Sequence, residues 1–362
     1  MPRPPPVLCA RAQSARSLRA VTAGPPEVSV VIPTRDRWHL LEDALATALG
    51  QEETTLEVIV VDDGSSDETP ARLAALPDPR LRVLRNPRSL GVAAARNRGI
   101  AAARATWVAF LDDDDLWSPR KLRAQLDAAA TAQAAFAYGG AIVIDESMQV
   151  LRHSPAPDPS ALSTEMLVRN LIPGGCSNIV ATTELVRSVG GFDEDLVALA
   201  DWELWIRLAH AGRAASCPDT VVAYRRHADS MVRRGAANMV AEFSYLCAKH
   251  REQSHAAGVT PDRRGFYRYV ARAARRSGRR REAAGLYLRL ALRDASGGDL
   301  LRAIGALLGP DVLALGARLL PGWLSPAPLG GDEPAWFAWH RQLSPPATRR
   351  PVPLLEPADV PE

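Results

Sequence analysis

The sequence predicts an α/β fold in which a mostly parallel central sheet is flanked by helices. Two observations support this prediction. Between residues 28 and 134, short apolar runs rich in Val, Ile and Leu alternate with segments whose apolar residues recur at helical spacing. In addition, several of these runs end directly in polar and acidic residues. Strands and helices that alternate in this way are typical of parallel sheets covered by helices on both faces.

Each element has a simple pattern when the chain is taken in order. The predicted strands cover residues 28–32, 56–61, 81–84 and 107–111, followed by a pair around 135–144 and 148–151. Helical spacing covers residues 40–48, 69–76, 92–104 and 120–134. The pattern then continues with a glycine-containing loop at 172–178, helices over 183–189 and 201–211, and a last strand at 221–224.

Three polar segments follow predicted parallel strands. Thr34 follows the first strand, Asp62 and Asp63 follow the second, and residues 112–115 follow the fourth. In open α/β sheets, ligands bind outside the carboxyl ends of the strands. We therefore expect these segments to converge on one crevice although they are far apart in the sequence.

Four consecutive aspartates, Asp112 to Asp115, follow the apolar run at residues 107–111. Adjacent carboxylates repel one another, and Asp favours turns over helices and strands. A divalent cation would neutralise the cluster, and carboxylate oxygens are the hard ligands that Mn²⁺ and Mg²⁺ prefer. A solvated acidic turn is the alternative interpretation of this stretch in isolation.

The composition is that of an ordinary soluble protein, with 47% hydrophobic and 23% charged residues in a chain of 362. The net charge of +3 gives no case for nucleic-acid binding, so we expect no nucleic-acid partner. The four cysteines are widely spaced and form no CxxC pair. Their spacing argues against a disulfide framework and a structural zinc site, and it favours a reducing cytoplasm.

Four segments are expected along the chain. Residues 1–26 are rich in Pro and Arg and lack the apolar core of a signal peptide, which predicts a disordered leader. Residues 27–234 contain the α/β pattern and are expected to form the main domain. Residues 235–324 show helical patterns with Arg-heavy outer faces, and residues 325–362 form a Pro-rich tail.

The helical extension has two interpretations. The sequence contains no run of about 18 consecutive apolar residues, so we expect no transmembrane helix. Arg dominates between residues 225 and 302. Helices of this kind either hold a cytoplasmic protein on anionic lipid at the inner face of the cell membrane, or they form a dimer or regulatory module.

Several segments in a fixed order carry a resemblance to a known family. They are VSVVIPTRDR, EVIVVDDGSSDET, LGVAAARNRGI and WVAFLDDDDLWSPRKL, followed by GGFDEDL, ADWELWIRL and YRRH. Together they closely resemble glycosyltransferase family 2, whose members have the GT-A fold, use nucleotide-diphosphate sugars and invert the anomeric centre. The resemblance covers the segment from residue 28 to residue 234, and the order of the motifs is more specific than any single motif.

The resemblance implies a donor-binding half. Its matching positions are Pro33, Thr34 and Arg35 around the nucleobase and ribose, Asp63 at a uracil-type N–H, Arg96 near the nucleotide, and Asp112 and Asp113 at the ribose. Asp114 matches the ligand of a Mn²⁺ or Mg²⁺ ion between the two phosphates, and His227 resembles a histidine that completes this site. Asp115 is expected to cap the following helix. From the residues alone, a turn-capping role for Asp63 and surface roles for Arg96 and His227 stay open.

An inverting transfer also needs a general base that deprotonates the acceptor hydroxyl. Asp201 matches the family's base at the start of a helix, although Ala200 stands where the family usually has Glu. Glu203 is the alternative base, and Trp202 and Glu203 are expected on the acceptor side. For Trp205, an acceptor contact and core packing are both consistent with the spacing.

The resemblance therefore implies a metal-dependent inverting glycosyltransferase. It would move a sugar from a nucleotide-diphosphate donor of UDP type to a hydroxyl of a glycan or lipid-linked acceptor in bacterial cell-surface polysaccharide biosynthesis. A catalytically degenerate protein that only binds nucleotide sugar is the alternative, and Ala200 is its support in the sequence. Nucleotidyltransferase chemistry is disfavoured, because residues 33–37 do not form a Gly-rich phosphate loop with a Lys.

Overall fold

The protein is described here by a computed structural model covering residues 24–227 and 236–308, together with residues 334, 335 and 337. Most of the expected leader (1–26) and Pro-rich tail (325–362) lies outside the described residues. Residues 228–235, which span the expected boundary between the main domain and the helical extension, also lie outside them.

Between residues 28 and 225 the predicted strands and helices are present in the predicted order, and a strand at residues 116–117 and a helix at residues 162–165 are added to them. The strands are β1 (Val28–Thr34), β2 (Leu56–Asp62), β3 (Leu81–Arg85), β4 (Trp107–Phe110), β5 (Leu116–Trp117), β6 (Phe136–Ile144), β7 (Val150–Ser154), β8 (Val180–Thr182) and β9 (Ala214–Arg225). The helices are α1 (Trp38–Leu49), α2 (Thr69–Ala74), α3 (Val92–Ala102), α4 (Lys121–Ala132), α5 (Leu162–Glu165), α6 (Thr183–Ser188), α7 (Ala200–Ala211), α8 (Ala236–Lys249), α9 (Arg251–Ala256), α10 (Arg263–Arg276), α11 (Arg280–Arg293) and α12 (Gly297–Leu308).

The described strands form one nine-stranded sheet in the order β3-β2-β1-β4-β8-β6-β9-β5, with β7 added on β6. The first four strands in this order are parallel, as the alternation of strands and helices predicts. The other half is mixed, because β8 is antiparallel to both β4 and β6, whereas β6 and β9 are parallel. The predicted α/β architecture is confirmed, and its parallel part is the half that delivers the polar segments.

Helices cover both faces of this sheet. Val30 and Ile32 of β1 pack into a core shared with α1 and α4. Val31, between them in sequence, packs into the opposite core, which is shared with α3 and α7. This division follows from the period of two along a strand, since successive side chains point to opposite faces.

Helix α3 lies very close to β1. A Cβ atom built on Gly99 would lie 2.3 Å from Cγ1 of Val31, so only a glycine allows this approach of helix to strand. The close approach matters for the site, because α3 also carries Arg96 toward the end of β4.

The C-terminal extension is packed onto α7. Phe243 of α8 and Phe266 of α10 stack with ring centroids 4.2 Å apart, and both contact Trp202 of α7 at 5.8 and 6.1 Å. The N–H group of Asp262 donates to the carbonyl of Val168 at 2.9 Å, which fixes the start of α10. Among the described helices, none combines the length and the apolar character that crossing a membrane requires.

Candidate functional site

The carboxyl ends of β1, β2 and β4 meet at one edge of the sheet. Thr34 at the end of β1 is in register with Asp62 at the end of β2, and the N–H of Asp63 donates to the carbonyl of Thr34 at 2.9 Å. The hydroxyl of Thr34 donates to Oδ2 of Asp113 at 2.8 Å. The three polar segments that the sequence places at strand ends are therefore in direct contact.

Asp63 holds the loop that precedes α3. Its Oδ1 atom accepts hydrogen bonds from the Asn86 amide at 2.7 Å and the Leu90 N–H at 2.9 Å. Its Oδ2 atom accepts from the Ser89 hydroxyl at 2.6 Å and the Gly91 N–H at 3.0 Å. Burial raises the pKa of Asp63, but these hydrogen bonds outweigh burial and lower it. All four donors belong to the loop at residues 86–91, so Asp63 has the turn-capping role that the residues alone leave open.

Pro33 and Arg35 flank Thr34 but differ in exposure. Pro33 is buried in β1 and is in register with Val61. The side chain of Arg35 is 55% exposed, and its Nε atom lies 3.5 Å from Oδ2 of Asp36. Of the two, Arg35 is the one with an accessible side chain beside the strand ends.

The first aspartate of the quartet, Asp112, is tied to two neighbouring elements. Its Oδ1 atom accepts a hydrogen bond from Nη2 of Arg96, and its backbone N–H donates to Oγ of Ser177 at 3.0 Å. Burial lowers the pKa of Arg96, but the charge of Asp112 raises it above its ordinary value, so this buried guanidinium stays charged. Arg96 therefore has an ion-pair partner at the strand end rather than a plain surface role.

Asp113 and Asp114 share a cation that sequence reasoning missed. Nη1 of Arg37 lies 3.2 Å from Oδ1 of Asp113 and 3.3 Å from Oδ2 of Asp114. The same Oδ2 atom of Asp114 lies 2.7 Å from Nε2 of His227. Burial raises the pKa of Asp114, but His227 and Arg37 lower it below its ordinary value. The signal for Arg37 was its place at the end of the first motif, VIPTRDR.

Asp115 is buried and connects two other segments of the chain through hydrogen bonds. It is fully buried, its Oδ2 atom accepts from the Ser177 hydroxyl at 2.6 Å, and its Oδ1 atom accepts from the N–H of Arg225 at 2.9 Å. The expectation that Asp115 caps the next helix is wrong, because α4 begins at Lys121 after Arg120 and has no side-chain cap. The carboxylate instead joins the turn after β4 to the end of β9.

The aspartate cluster fits a divalent cation. Asp112, Asp114 and Asp115 each bring a carboxylate oxygen within 4.8 Å of the other two, and His227 adds an imidazole nitrogen beside Asp114. Hard oxygens with an imidazole suit Mn²⁺ or Mg²⁺. Burial and the charge of Asp114 raise the pKa of Asp113 to about 7. A divalent cation beside the cluster would favour the ionised form of Asp113.

Asp201 lies in the first turn of α7, next to this cluster. A Cβ atom on Gly175 would lie 3.5 Å from Oδ2 of Asp201, so the glycine loop before β8 borders the carboxylate. Burial raises the pKa of Asp201 to about 6, while the N–H of Trp202 and the charge of Arg96 oppose that rise and Asp112 adds to it. The candidate base is therefore close to the Arg96–Asp112 pair and is ionised at neutral pH.

The structure does not bring Glu203 and Trp202 to the acceptor side. Glu203 is fully buried in an ionic cluster with Arg207, Lys249 and His250, so its carboxylate cannot reach an acceptor. Trp202 is 3% exposed and its indole N–H donates to the carbonyl of Met166 at 2.7 Å. Both residues point away from Asp201 because successive positions on a helix face different directions.

Trp205 packs in the protein core. It is fully buried, and its ring centroid lies 6.4 Å from that of Phe192. The core interpretation of this tryptophan is the correct one.

Comparison with known proteins identifies a family that matches part of the chain. Residues 29–182 match the model of glycosyl transferase family 2. The chain is 42% identical over 127 residues to the succinoglycan biosynthesis protein ExoO of Rhizobium meliloti, which covers 35% of this chain and 36% of that protein. It is 30% identical over 191 residues to an uncharacterized glycosyltransferase of Rickettsia bellii, covering 51% of this chain and 27% of that protein. The chain thus spans well under two thirds of either relative.

A third relative is matched over more of its length. The chain is 28% identical over 181 residues to UDP-Glc:alpha-D-GlcNAc-diphosphoundecaprenol beta-1,3-glucosyltransferase WfgD of Escherichia coli, covering 50% of this chain and 69% of that protein.

One solved structure resembles the whole fold. It is the mannosyltransferase PcManGT of Pyrobaculum calidifontis in complex with GDP-Man and Mn²⁺, at a TM-score of 0.50 and 21% identity, with 88% of this chain and 89% of that chain covered. The likeness concerns the fold, with its helices on both faces of the sheet. Residues 29–182 therefore match glycosyl transferase family 2, as the order of the motifs predicts, and the described strands and helices have the GT-A fold.

Proposed function

We propose that the protein is a metal-dependent inverting glycosyltransferase that moves a sugar from a UDP-type donor to a hydroxyl of a glycan or lipid-linked acceptor. The observation that supports this most is that one loop borders both Asp201 and the aspartate cluster. A Cβ atom on Gly175 would lie 3.5 Å from Oδ2 of Asp201, and Ser177 of the same loop hydrogen-bonds with Asp112 and Asp115. This arrangement puts a candidate base next to the acidic cluster, and an inverting displacement needs a base on the acceptor side and positive charge on the leaving-group side.

On the donor side, the nucleotide lies over the ends of β1, β2 and β4. The residues that hold its nucleobase and ribose are Pro33, Thr34, Arg35, Asp63, Asp112 and Asp113. Arg96 and Arg37 add positive charge beside these carboxylates. The WfgD relative is named for a UDP-Glc donor, which supports a UDP-type donor here.

Asp114 and His227 would hold a Mn²⁺ or Mg²⁺ ion, which would supply positive charge for the departing nucleoside diphosphate. Arg37 also contacts Asp114, at 3.3 Å, so its guanidinium balances part of the cluster's charge. The support for this assignment is the 2.7 Å contact between the His227 imidazole and Asp114, together with the two further carboxylates that lie near Asp114.

Asp201 is the general base. Its carboxylate takes the proton of the acceptor hydroxyl while that oxygen attacks the anomeric carbon from the face opposite the leaving nucleotide. A pKa of about 6 leaves the group ionised at neutral pH and still basic enough to accept a proton. The glycine loop at Gly174 and Gly175 leaves room beside the carboxylate, because a side chain at Gly175 would contact Asp201.

The acceptor belongs to cell-surface polysaccharide biosynthesis in bacteria. The named relatives support this, since ExoO is a succinoglycan biosynthesis protein and WfgD uses a diphosphoundecaprenol-linked acceptor. We place the protein on the cytoplasmic side, with the Arg-rich helices α10 and α11 in contact with an anionic membrane surface.

A donor panel tests the proposal. Purified protein is incubated with UDP-glucose, UDP-N-acetylglucosamine or GDP-mannose, with and without Mn²⁺, and nucleotide release is measured with a panel of sugar acceptors. We expect metal-dependent release from one donor, and loss of about a hundredfold or more in rate for Asp201→Asn. Asp127→Asn, an exposed carboxylate on α4, serves as the control.

The outcome separates the enzyme from a protein that only binds nucleotide sugar. Wild-type protein that binds UDP with Mn²⁺ but turns over no donor would favour the binding protein. Equal rates for wild type and Asp201→Asn would contradict the assignment of the base.

A further inference from the structure

The side of the crevice beyond Asp201 is lined by one row of side chains from three strands. Val143 of β6 is in register with Arg152 of β7 on one side and with Tyr224 of β9 on the other. Residues in register across neighbouring strands point to the same face of a sheet. Arg152 and Tyr224 therefore stand on one face, two strands apart.

This face is the one that borders the candidate base. Ala141 and Val222, two residues before Val143 and Tyr224, share its orientation, because the strand period is two. A Cβ atom on Gly174 would lie 3.2 Å from Cβ of Ala141 and 3.3 Å from Cγ1 of Val222, so the glycine loop covers this face. The next residue of the loop, Gly175, borders Asp201.

Helix α10 of the extension brings a tyrosine to the same place. The ring of Phe266 lies 6.1 Å from that of Trp202 on α7, and the ring of Tyr269 lies 6.4 Å from Phe266. Burial raises the pKa of Tyr269, and the charge of Asp201 raises it further. The positive charges of Arg276, Arg226 and Arg152 act in the opposite direction.

The side chain of Tyr269 lines the wall of the crevice. The residue is 41% exposed although these charged groups surround it, as expected for a side chain that lines an open crevice. On the other side, burial and the charges of Asp115 and Asp114, together with Tyr269 itself, raise the pKa of Tyr224. The charges of the acidic cluster therefore reach Tyr224.

Two more arginines lie on or directly after the elements that carry these tyrosines. Arg226 follows Tyr224 by two positions, and its backbone N–H donates to the carbonyl of Ile144 at 2.8 Å. Arg276 follows Tyr269 by about two helical turns on α10, so the two side chains share one side of that helix.

Among the described residues, Arg152, Arg226 and Arg276 form no ion pair, and the Nε atom of Arg152 donates to Oγ of Ser154 at 3.0 Å. Burial lowers the pKa of Arg276, and the positive charge of Arg226 lowers it further. Cations held close together in this way are most stable when an anion lies between them.

The geometry points to an anion subsite in which Arg152, Arg226 and Arg276, with the hydroxyl of Tyr269, bind an oxyanion carried by the acceptor. Guanidinium groups bind phosphate and carboxylate oxygens in bidentate fashion, and a tyrosine hydroxyl adds one neutral donor. An acceptor held there by its phosphate or carboxylate presents a nearby hydroxyl to Asp201. This inference rests on the proposed transferase function and adds the charge of the acceptor to it.

Three matched sugars test the subsite in the full chain. Glucose 1-phosphate, glucuronate and glucose are titrated into protein saturated with UDP and Mg²⁺, and binding is followed by calorimetry. We expect at least one of the charged sugars to bind about tenfold or more tightly than glucose. A tighter phosphate sugar identifies a phosphorylated acceptor, and a tighter glucuronate identifies an acidic sugar.

Charge-matched variants locate the binding. Arg152→Ala combined with Arg276→Ala is expected to lower the affinity for the charged sugar about tenfold and to leave the affinity for UDP unchanged. Arg280→Ala combined with Arg281→Ala removes the same charge from exposed positions on α11 and is expected to change neither. Tyr269→Phe is expected to weaken the charged sugar by a smaller factor.

Three results would overturn the subsite. They are equal affinity for all three sugars, competition between UDP and the charged sugar, and equal losses in the two double variants. In all three cases the wild type still binds UDP in the absence of sugar, so the proposed function is spared, whereas absence of UDP binding by the wild type would contradict the proposed function itself.

Discussion

The Nζ atom of Lys249 lies 2.8 Å from Oε1 of Glu203, in the interface between α8 and α7. The same lysine lies 2.5 Å from Oδ2 of Asp193. Nearby, Oε2 of Glu242 accepts hydrogen bonds from three consecutive backbone N–H groups, at residues 197, 198 and 199, directly before α7. The C-terminal extension therefore holds the start of the helix that carries Asp201.

The ionic cluster at Glu203 is expected to stabilise the folded protein. Burial raises the pKa of Glu203, but His250, Arg207 and Lys249 lower it to about 2. A fall from the ordinary 4.5 corresponds to about 3 kcal/mol at neutral pH. Glu203→Gln should lower the free energy of unfolding by about this amount in chemical denaturation, since it leaves buried cations without a partner.

The pH dependence and a matched pair check this prediction. Because the pKa is lowered on folding, the stabilisation is present above pH 4.5 and is lost as the pH falls toward 2, so the difference between wild type and Glu203→Gln should shrink over that window. Glu165→Gln removes an exposed pair with Arg169 at the same i,i+4 spacing and should cost less than about 1 kcal/mol. Equal losses in the two variants would contradict a special role for the buried cluster.

Activity is expected to fall in acid because Asp201 must be ionised to act as a base. With its pKa raised to about 6, kcat should be constant above pH 7 and should fall about tenfold for each pH unit below 6. The measurement is kcat at saturating donor and metal, so that titration of Asp113, whose pKa is raised to about 7 in the nucleotide-free protein, does not enter through donor binding. A kcat that stays constant down to pH 5 would argue for a different base.

Replacing Asp114 by Ala is expected to weaken metal binding, whereas replacing Asp115 by Ala is expected to lower the stability of the fold. Asp114→Ala should raise the Mn²⁺ concentration for half-maximal activity about tenfold, because Asp114 offers its oxygens next to His227. Asp115→Ala should lower the free energy of unfolding by about 1–3 kcal/mol, because it leaves Ser177 and the N–H of Arg225 without their acceptor. Metal titration and denaturation of both variants separate the roles, and the reverse pattern would exchange them.

Gly→Ala substitutions at Gly99 and Gly285 compare a helical glycine in a close contact with one in open space. Gly99→Ala should destabilise the protein by about 1–3 kcal/mol, because the new methyl group would overlap Cγ1 of Val31. Gly285→Ala on α11 meets nothing within 4 Å and should stabilise by up to about 1 kcal/mol. Thermal unfolding compares the two, and a stabilising Gly99→Ala would show that α3 can move away from β1.

The parallel half of the sheet and the polar segments at its edge could be predicted from the amino-acid sequence alone. Apolar runs define β1, β2, β3 and β4, and the direction of parallel strands brings Thr34, Asp63 and the aspartates together. The place of Asp201 at the start of α7 was predicted in the same way. These features follow from local pattern and chain direction, which a sequence contains.

The contacts between side chains that are distant in the sequence could be seen only in the tertiary structure. The contact between Asp115 and the N–H of Arg225 joins positions 110 residues apart, and Arg37 meets Asp114 across 77. Glu203 belongs to the same helix as Asp201 but is turned into an ionic cluster with the extension. The mixed order β8-β6-β9-β5 was likewise set by packing. Such contacts depend on how distant segments pack, and no local pattern of residues encodes that packing.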